Sequence, residues 1–538
     1  MLTCECTYFE IRNIMRPLLT LMLILLLYSC GENQVESDTT PFEFRDISVE
    51  EKMQLALSET YLAKLGLPDS TLHYLTDYYS SRDFKPKWIN DSTLTETGEK
   101  LMDAFQNSYS IGIPIGRITE IKSDNYIQDE IRITLSLSQV IHDLKTGLIN
   151  YTDKSSNPVR YIQAAELDDL MTFEKNKDIR IQFLKYGPKD STYEVLGAGL
   201  IDLLDNFPLD TSTFDIESIK FDTLTATSKS QKALISKGYL AESSVDSTNF
   251  MEALAHFQID NGLKPDGVIG KYTSIALNES TQHKVERILL AMDKIRTRTE
   301  RPNKYIWINI PEYKLRFYIN DSLKSEHNIV TGTTANQTPE LVSKLRKIVV
   351  YPFWNVPYSI SSKEILPSVK RDTGYLAKHN YKLLKDGQEV DPHSVEWSSI
   401  RQNAFPFKIR QEPGRGNALG LIKFVFNNAY SVYFHDTPSK SLFNVDVRAY
   451  SHGCMRTQYP VTLAKAILKR DKLGRRLNRT IPDSLDTLLG RKENYNIKVL
   501  DPVPIFIEYQ TVTRVDTKMI TYIDIYGRDE QYLKILRE

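Results

Sequence analysis

The hydrophobic period of this chain changes near residue 300, and that change restricts its possible folds more than any other feature. Ahead of it, apolar residues recur at helical spacing, as Leu137, Val140, Ile141 and Leu144 do, with Gly147 placed to stop the helix. A helical pattern around Val285 to Arg296 ends this half. Behind it the period is two. Tyr305 to Ile310 and Lys314 to Ile319 are β-rich runs either side of Pro311-Glu312, and others follow at Lys347 to Val356, Ile422 to Phe426, Val503 to Thr513 and Met519 to Ile525. One pattern buries a helix face and the other a sheet face, so the two halves need separate cores. The expected fold class is multi-domain α+β. Residues 45–225 form a helical domain, 228–280 a small helical unit, 281–300 a linking helix, 301–480 a mostly-β domain and 481–538 a β extension.

At 538 residues the chain has room for two to four such units. Lys plus Arg number 68 against 69 Asp plus Glu, so no global field draws nucleic acid, which is not an expected partner. The densest basic run, Lys465 to Arg479, reads as a solvated helix face. Leu18 to Tyr28 is an apolar run of eleven residues behind Arg16, too short to span a bilayer, which takes about 20. Residues 1–30 therefore read as an export leader, with Met15 as the expected true start. Leu27-Tyr28-Ser29-Cys30 resembles a lipoprotein signal, which implies lipidation at Cys30 and a membrane anchor in the cell envelope. Residues 31–44 are polar and acidic, a flexible tether.

That leader contains or borders Cys4, Cys6 and Cys30, so the mature chain keeps one thiol, Cys454. In an oxidising compartment an unpaired thiol is a hazard unless it is used. Its neighbours point to use. Val432-Tyr433-Phe434-His435 is a strand running into Asp436-Thr437-Pro438, and fifteen residues then separate His435 from Ser451-His452-Gly453-Cys454-Met455-Arg456. A free thiol, with a pKa of about 8.5, is mostly protonated at neutral pH. A histidine within reach can take that proton and return it to a leaving amine. Gly453 leaves room for a carbonyl, and N–H groups around Cys454 can face an oxyanion. His435 and His452 both remain candidates for the base, with His435 preferred. A zinc site built from His435, His452 and Cys454 is the rival enzyme reading, but nothing upstream supplies the usual spaced ligand pair.

Histidine, 14 to 17 residues, then Ser/Thr-His-Gly-Cys resembles the signature of the L,D-transpeptidase catalytic domain. Tyr351 to Pro357, Gly414 to Gly420, Asp436-Thr437-Pro438 and Asp524 to Asp529 look like blocks of its large multi-domain periplasmic branch, as does Arg456 after the cysteine. Residues 228–280 resemble the small three-helix peptidoglycan-binding domain through Phe257-Gln258, Gly262-Leu263, Asp266-Gly267 and Thr273.

The resemblance implies a periplasmic enzyme in which Cys454 attacks a donor tetrapeptide stem and releases D-alanine. An acceptor stem then resolves the thioester into a 3–3 cross-link. It implies stem peptides and glycan strands as partners, with no cofactor and no metal. Gly453 and Cys454 would supply oxyanion donors. Arg456 would meet a substrate carboxylate or fix the loop, and Ser451, Asn417 and Trp354 would line the substrate groove. Ile365 to Phe407, mixed and partly helical, would be a lid. An L,D-carboxypeptidase, transfer to a protein lysine, and a wall-holding lipoprotein without catalysis are the alternatives.

Overall fold

The computed structural model describes residues 47–58, 69–118, 125–170, 172–218, 223–244, 246–469 and 482–538. The expected leader, Cys30, the tether and the basic run beyond Lys469 lie outside these residues. Helices dominate the N-terminal half. Helix α1 (Glu96–Gln106) starts on Thr95, whose hydroxyl accepts the N–H of Gly98. Helix α2 (Tyr126–Thr146) starts on Asn125 and stops at Gly147, whose φ of +82° is open to glycine at little cost. Leu137, Val140, Ile141 and Leu144 are wholly buried, as their spacing predicts. Helix α3 (Ser191–Asn206) completes this half.

Helices α4 (Thr223–Ser236), α5 (Ser247–Asp260) and α6 (Lys271–Asn278) make a second unit around Leu234, Leu254, Phe257 and Leu277. Its motif residues are occupied by its own turn. Gln258 donates to Asp266, to the Val268 carbonyl and to Thr273, while its Oε1 accepts the Gly267 N–H. Gly267 sits at φ +67°. The Gln-to-Thr pattern therefore specifies this fold, and ligand binding needs separate support.

Helix α7 (Thr281–Arg296) joins the units from inside. Its Asp293 carboxylate, fully buried, accepts the N–H groups of Leu148 (2.5 Å) and Ile149 (3.2 Å) and the hydroxyl of Tyr151 (3.0 Å). Arg287, one helical stripe back, pairs with Glu279 at 2.6 Å. Breaking such buried pairs costs several kcal/mol, so α7 binds the helical half firmly to its neighbouring units.

The β half is a closed barrel. In chain order its strands are β1 (Lys304–Asn309), β2 (Lys314–Ile319), β3 (Ser322–Gly332), β4 (Leu341–Val350), then β5 (Trp354–Asn355), β6 (Tyr381–Lys385), β7 (Gln388–Val390) and β8 (Lys408–Gln411) of an inserted sheet. The barrel resumes with β9 (Ile422–Phe426), β10 (Phe434–His435), β11 (Ala449–Ser451), β12 (Met455–Thr457) and β13 (Tyr495–Glu508). The ring runs β3-β12-β10-β9-β4-β13-β1-β2 and closes where β2 pairs with β3, with β11 added outside on β3. Eight strands enclose a space that side chains fill, here by Ile306, Phe317, Ile348, Phe424, Phe434 and Ile505. The expected extension after residue 480 needs correcting: β13 is a wall of the barrel, pairing with both β4 and β1. The hairpin β14 (Val512–Val515) and β15 (Lys518–Thr521) and helix α8 (Glu530–Arg537) follow it. Helix α8 returns to the helical half: Leu533 enters its core, Tyr532 lies 5.1 Å from Tyr151, and Arg537 pairs with Glu286 at 2.6 Å.

The insert is more regular than expected. Strands β7-β6-β8-β5 form a four-stranded sheet over its own core of Leu366, Val369, Leu376, Leu383, Trp397 and Ile409. It thus runs from Trp354 to Gln411, wider than Ile365 to Phe407. Its hairpin turns at Asp386-Gly387, both at positive φ (50° and 84°), the turn chemistry for two tightly joined strands.

Candidate active site

Strand β10 sits in the ring with β9 antiparallel on one side and β12 parallel on the other. Alternation turns Phe434 into the barrel, stacked on Phe424 at 4.7 Å, and puts Tyr433 and His435 on the opposite face. Lys423 of β9 is His435's cross-strand partner on one side and Arg456 of β12 on the other. Burial, with these two cations, drives the imidazole down to about 3. It is therefore neutral at physiological pH. Its Nδ1 lies 2.5 Å from the Asp436 carbonyl, which can only accept, so the proton is on Nδ1 and Nε2 carries the lone pair. This is the tautomer a general base requires.

Cys454 lies in the loop between β11 and β12, half-buried and unpaired. Burial pushes its thiol up, while the Tyr433 N–H, the Lys423 charge and the Tyr433 hydroxyl pull the other way. Tyr433 also takes a hydrogen bond from the Trp354 side chain, and Lys423 Nζ stands 3.5 Å above its ring. Tyr433 and His435 are edge to face at 5.6 Å. The Lys423 ammonium on β9 and the Tyr433 phenol and His435 imidazole at β10 thus share one face of two adjacent strands, and the Cys454 thiol meets Tyr433 and Lys423 there from the β11–β12 loop.

The loop is held by its own polar groups. Ser451, buried, donates to the Cys454 carbonyl (2.5 Å) and accepts the Gly453 N–H (3.1 Å). Ser451 is therefore a brace for the loop rather than a lining residue, and the Gly453 N–H is already engaged. Gly453 itself sits at φ +105°, a region where a side chain is strained. Thr338 donates to the Gly453 carbonyl at 2.9 Å, and Tyr526 supports that strand end by donating to Gly332 at 2.6 Å.

Asn417 is likewise buried and consumed locally, donating to the Glu412 carbonyl and accepting from the Leu419 N–H. Within the same block packing fixes Gly420, where a Cβ would stand 2.4 Å from the Asp436 carboxyl, while Gly414 and Gly416 have nothing within 4 Å. Arg456 forms no ion pair among the described residues and stays half-exposed beside His435. His452 is exposed and points elsewhere, its Nε2 2.7 Å from Glu364 of the insert. With that histidine turned away, His435, His452 and Cys454 do not converge. Among the described residues no group of three or more His, Cys, Asp or Glu is placed to hold a metal ion. The insert thus reaches the site through Trp354 on Tyr433 and holds the neighbouring loop through Glu364 on His452.

Sequence reasoning passed over Tyr433, Lys423 and Glu364. Tyr433 was within reach, two residues before His435 and so on the same strand face. The other two depend on strand pairing and on an insert that no local pattern positions.

Residues 303–476 match the YkuD family, the L,D-transpeptidase catalytic domain, and residues 73–200 match the scaffold domain family. A Haemophilus influenzae protein named "Putative L,D-transpeptidase" is 37% identical over 227 residues, which is 42% of this chain and 45% of that protein, so the match spans less than half of the relative's length. Among solved structures, a cysteine-to-serine variant of the Enterococcus faecium L,D-transpeptidase aligns at 13% identity over 38% of this chain and 50% of its own, with a TM-score of 0.16. The Ldtfm-avibactam carbamoyl enzyme aligns at 11% over 70% of this chain and 98% of its own, with a TM-score of 0.17. Neither superposition is close enough to inform the fold. Among the described residues no helix is long and apolar enough to cross a membrane. By the two family matches and the relative's similarity, this chain carries the L,D-transpeptidase catalytic domain at residues 303–476, preceded by a scaffold domain at 73–200.

Proposed function

We propose that the protein is a peptidoglycan L,D-transpeptidase whose nucleophile is Cys454 and whose base is His435. The thiol adds to the carbonyl between the third stem residue and the D-alanine at position four. His435 Nε2 takes the thiol proton and passes it to the departing D-alanine amine. A thioester on Cys454 remains. An acceptor amine attacks it, gives its proton back through His435, and leaves a 3–3 cross-link and a free thiol. The observation that carries this reading is the tautomer of His435, a neutral base fixed by the Asp436 carbonyl on the strand next to the cysteine. With the Gly453 N–H engaged, the oxyanion donor is the Cys454 N–H, and Arg456, free of any partner carboxylate among the described residues, binds one on the substrate.

The test is direct. After incubation with purified disaccharide-tetrapeptide, intact-protein mass spectrometry should show one acyl adduct, the stem less D-alanine, on Cys454. An adduct elsewhere, or none while D-alanine is being released, rejects the mechanism.

The insert acts here as a lid that holds the acceptor and keeps water, at about 55 M, off the thioester; positioning can raise an amine's effective concentration by orders of magnitude. Its contacts through Glu364 and Trp354 support that role. Shortening it should shift products from 3–3 dimers to tripeptides while acylation survives; an unchanged ratio removes the lid role. Tripeptides alone from the intact enzyme, with acceptor in excess, would make it an L,D-carboxypeptidase. The resemblance of residues 228–280 to a peptidoglycan-binding unit is what supports wall contact there, and the Leu27-to-Cys30 motif is what supports a lipid anchor at Cys30. Labelled fatty acid should enter the wild type and not Cys30→Ala, and an unlabelled wild type refutes the anchor.

A further inference from the structure

Gly453 and Cys454 carry four backbone polar groups between them, and the fold holds three. The Gly453 N–H donates to the Ser451 hydroxyl, the Cys454 carbonyl accepts from that same hydroxyl, and the Gly453 carbonyl accepts from Thr338. The fourth, the Cys454 N–H, has no acceptor among the described residues. It belongs to the same peptide unit as the Gly453 carbonyl. That unit is trans and planar, so its C=O and N–H point in opposite directions. Whatever grips the carbonyl therefore aims the N–H.

A grip is needed because glycine, at φ +105° here, lacks the side chain that restricts its backbone torsions. It comes from the wholly buried Thr338, in the loop joining β3 to β4. Only one proton arrangement fits. The Gly332 N–H, 2.9 Å from Thr338 Oγ1, can only donate to it, and the Gly453 carbonyl, also at 2.9 Å, can only accept from it. A carbonyl that accepts a hydrogen bond polarises its own peptide, which makes the N–H at the other end a stronger donor. Thr338 is itself fixed at both ends. Its N–H donates to the Tyr526 hydroxyl (3.3 Å), which donates to Gly332, and its carbonyl accepts from Arg528 Nη2 (2.8 Å). Arg528 lies 4.9 Å from the ring centres of Tyr509 and Tyr526, and Asp524 accepts both the Arg528 N–H and the Tyr509 hydroxyl. The Asp524-to-Asp529 block thus reaches the nucleophile loop through one hydroxyl.

We propose that Thr338 is a positioning residue for acyl transfer, its hydroxyl aiming the Cys454 N–H at the developing oxyanion, with Tyr526 and Arg528 holding Thr338 in register. The role rests on the acyl-transfer reading above. Removing an oxyanion donor outright costs about 10²- to 10³-fold in kcat, and a donor left in place but unaimed should cost part of that, roughly tenfold or more.

The test compares two reactions of Cys454 in the full chain. Acylation by tetrapeptide stems, or by the small ester p-nitrophenyl acetate, builds an oxyanion; alkylation by iodoacetamide does not. Thr338→Val keeps the shape and removes the hydroxyl, and Thr338→Ser restores it. In Thr338→Val, kcat for D-alanine release should fall roughly tenfold or more with KM little changed, while alkylation keeps its wild-type rate. Thr338→Ser should stay close to wild type. A wild-type kcat in Thr338→Val overturns the proposal. So does a fall of acylation and alkylation by the same factor, which marks a residue that only holds the loop, and so does an equal loss in the serine variant. If Thr338→Val does not fold, Tyr526→Phe decides: slowed acylation with unchanged alkylation supports the role, and any other pattern overturns it. A wild type that the ester acylates but that releases no D-alanine removes the peptidoglycan reading instead. The ester then settles the role of Thr338 by itself, slower acylation of Thr338→Val upholding it and an equal rate overturning it.

Discussion

Cys454→Ser is expected to fold normally and to lose D-alanine release from tetrapeptide stems by at least about a thousandfold. The side chain is half-buried, and serine differs from it by one atom, so packing against the barrel is nearly unchanged. The chemistry is not. A hydroxyl loses its proton far less readily than a thiol, and His435, pushed down to about 3, is a weak base. It can assist a thiol whose sulfur also receives hydrogen bonds from Tyr433, but it cannot activate an alcohol. Measured release within tenfold of wild type, from protein with an unchanged melting temperature, would falsify the nucleophile assignment.

Replacing His435 by alanine should lower kcat/KM by roughly 10²- to 10⁴-fold, the usual share of a general base. The pH profile separates this role from a structural one. With its pKa depressed by burial, His435 is neutral, and therefore competent, at every pH well above 3. With the thiol raised by burial, Cys454 stays protonated until the pH is alkaline. Over the intervening range the resting pair is thiol and imidazole, not thiolate and imidazolium. Two consequences can be measured. The wild-type profile should show no acid limb near 6.5 from this histidine, and alkylation of Cys454 by iodoacetamide should keep accelerating from pH 6 to 9 without a plateau. An inflection near 6.5 that disappears in His435→Ala would show that burial does not hold this imidazole neutral, and a plateau in the alkylation rate below pH 8 would show a thiolate–imidazolium pair at rest. His452→Ala with the larger loss of turnover would move the base to the other histidine.

Local patterns served well where neighbours in sequence are neighbours in space. Gly147 stops α2, and the Phe257-to-Thr273 motif encloses its own turn. His435 to Cys454 spans two adjacent strands. The same reasoning failed where pairing is distant. Strand β13 follows the inserted and catalytic segments, yet it slots between β4 and β1, and nothing in its alternation names those partners. Lys423 becomes part of the site only because β9 lies beside β10. Polar residues misled for another reason. Ser451 and Asn417 carry the right groups for substrate, and a sequence does not reveal that their own loops already use them. The insert was the avoidable miss: Asp386-Gly387 between Tyr381-to-Lys385 and Gln388-to-Val390 is a hairpin signal.

Helix α8 has a consequence for how the protein is made. A chain emerges from the ribosome N-terminus first, so the helical half is complete in sequence long before residues 530–537 exist. Its core nevertheless includes Leu533, and Tyr532, Ile535 and Leu536 pack against it. Until the barrel has been synthesised, that half waits with an apolar socket open to solvent. The final closure is therefore a check on the whole product. A chain broken anywhere inside the barrel leaves the socket unfilled, exposing it to the proteases and chaperones that act on unfinished proteins, and an intact scaffold certifies that everything translated after it arrived.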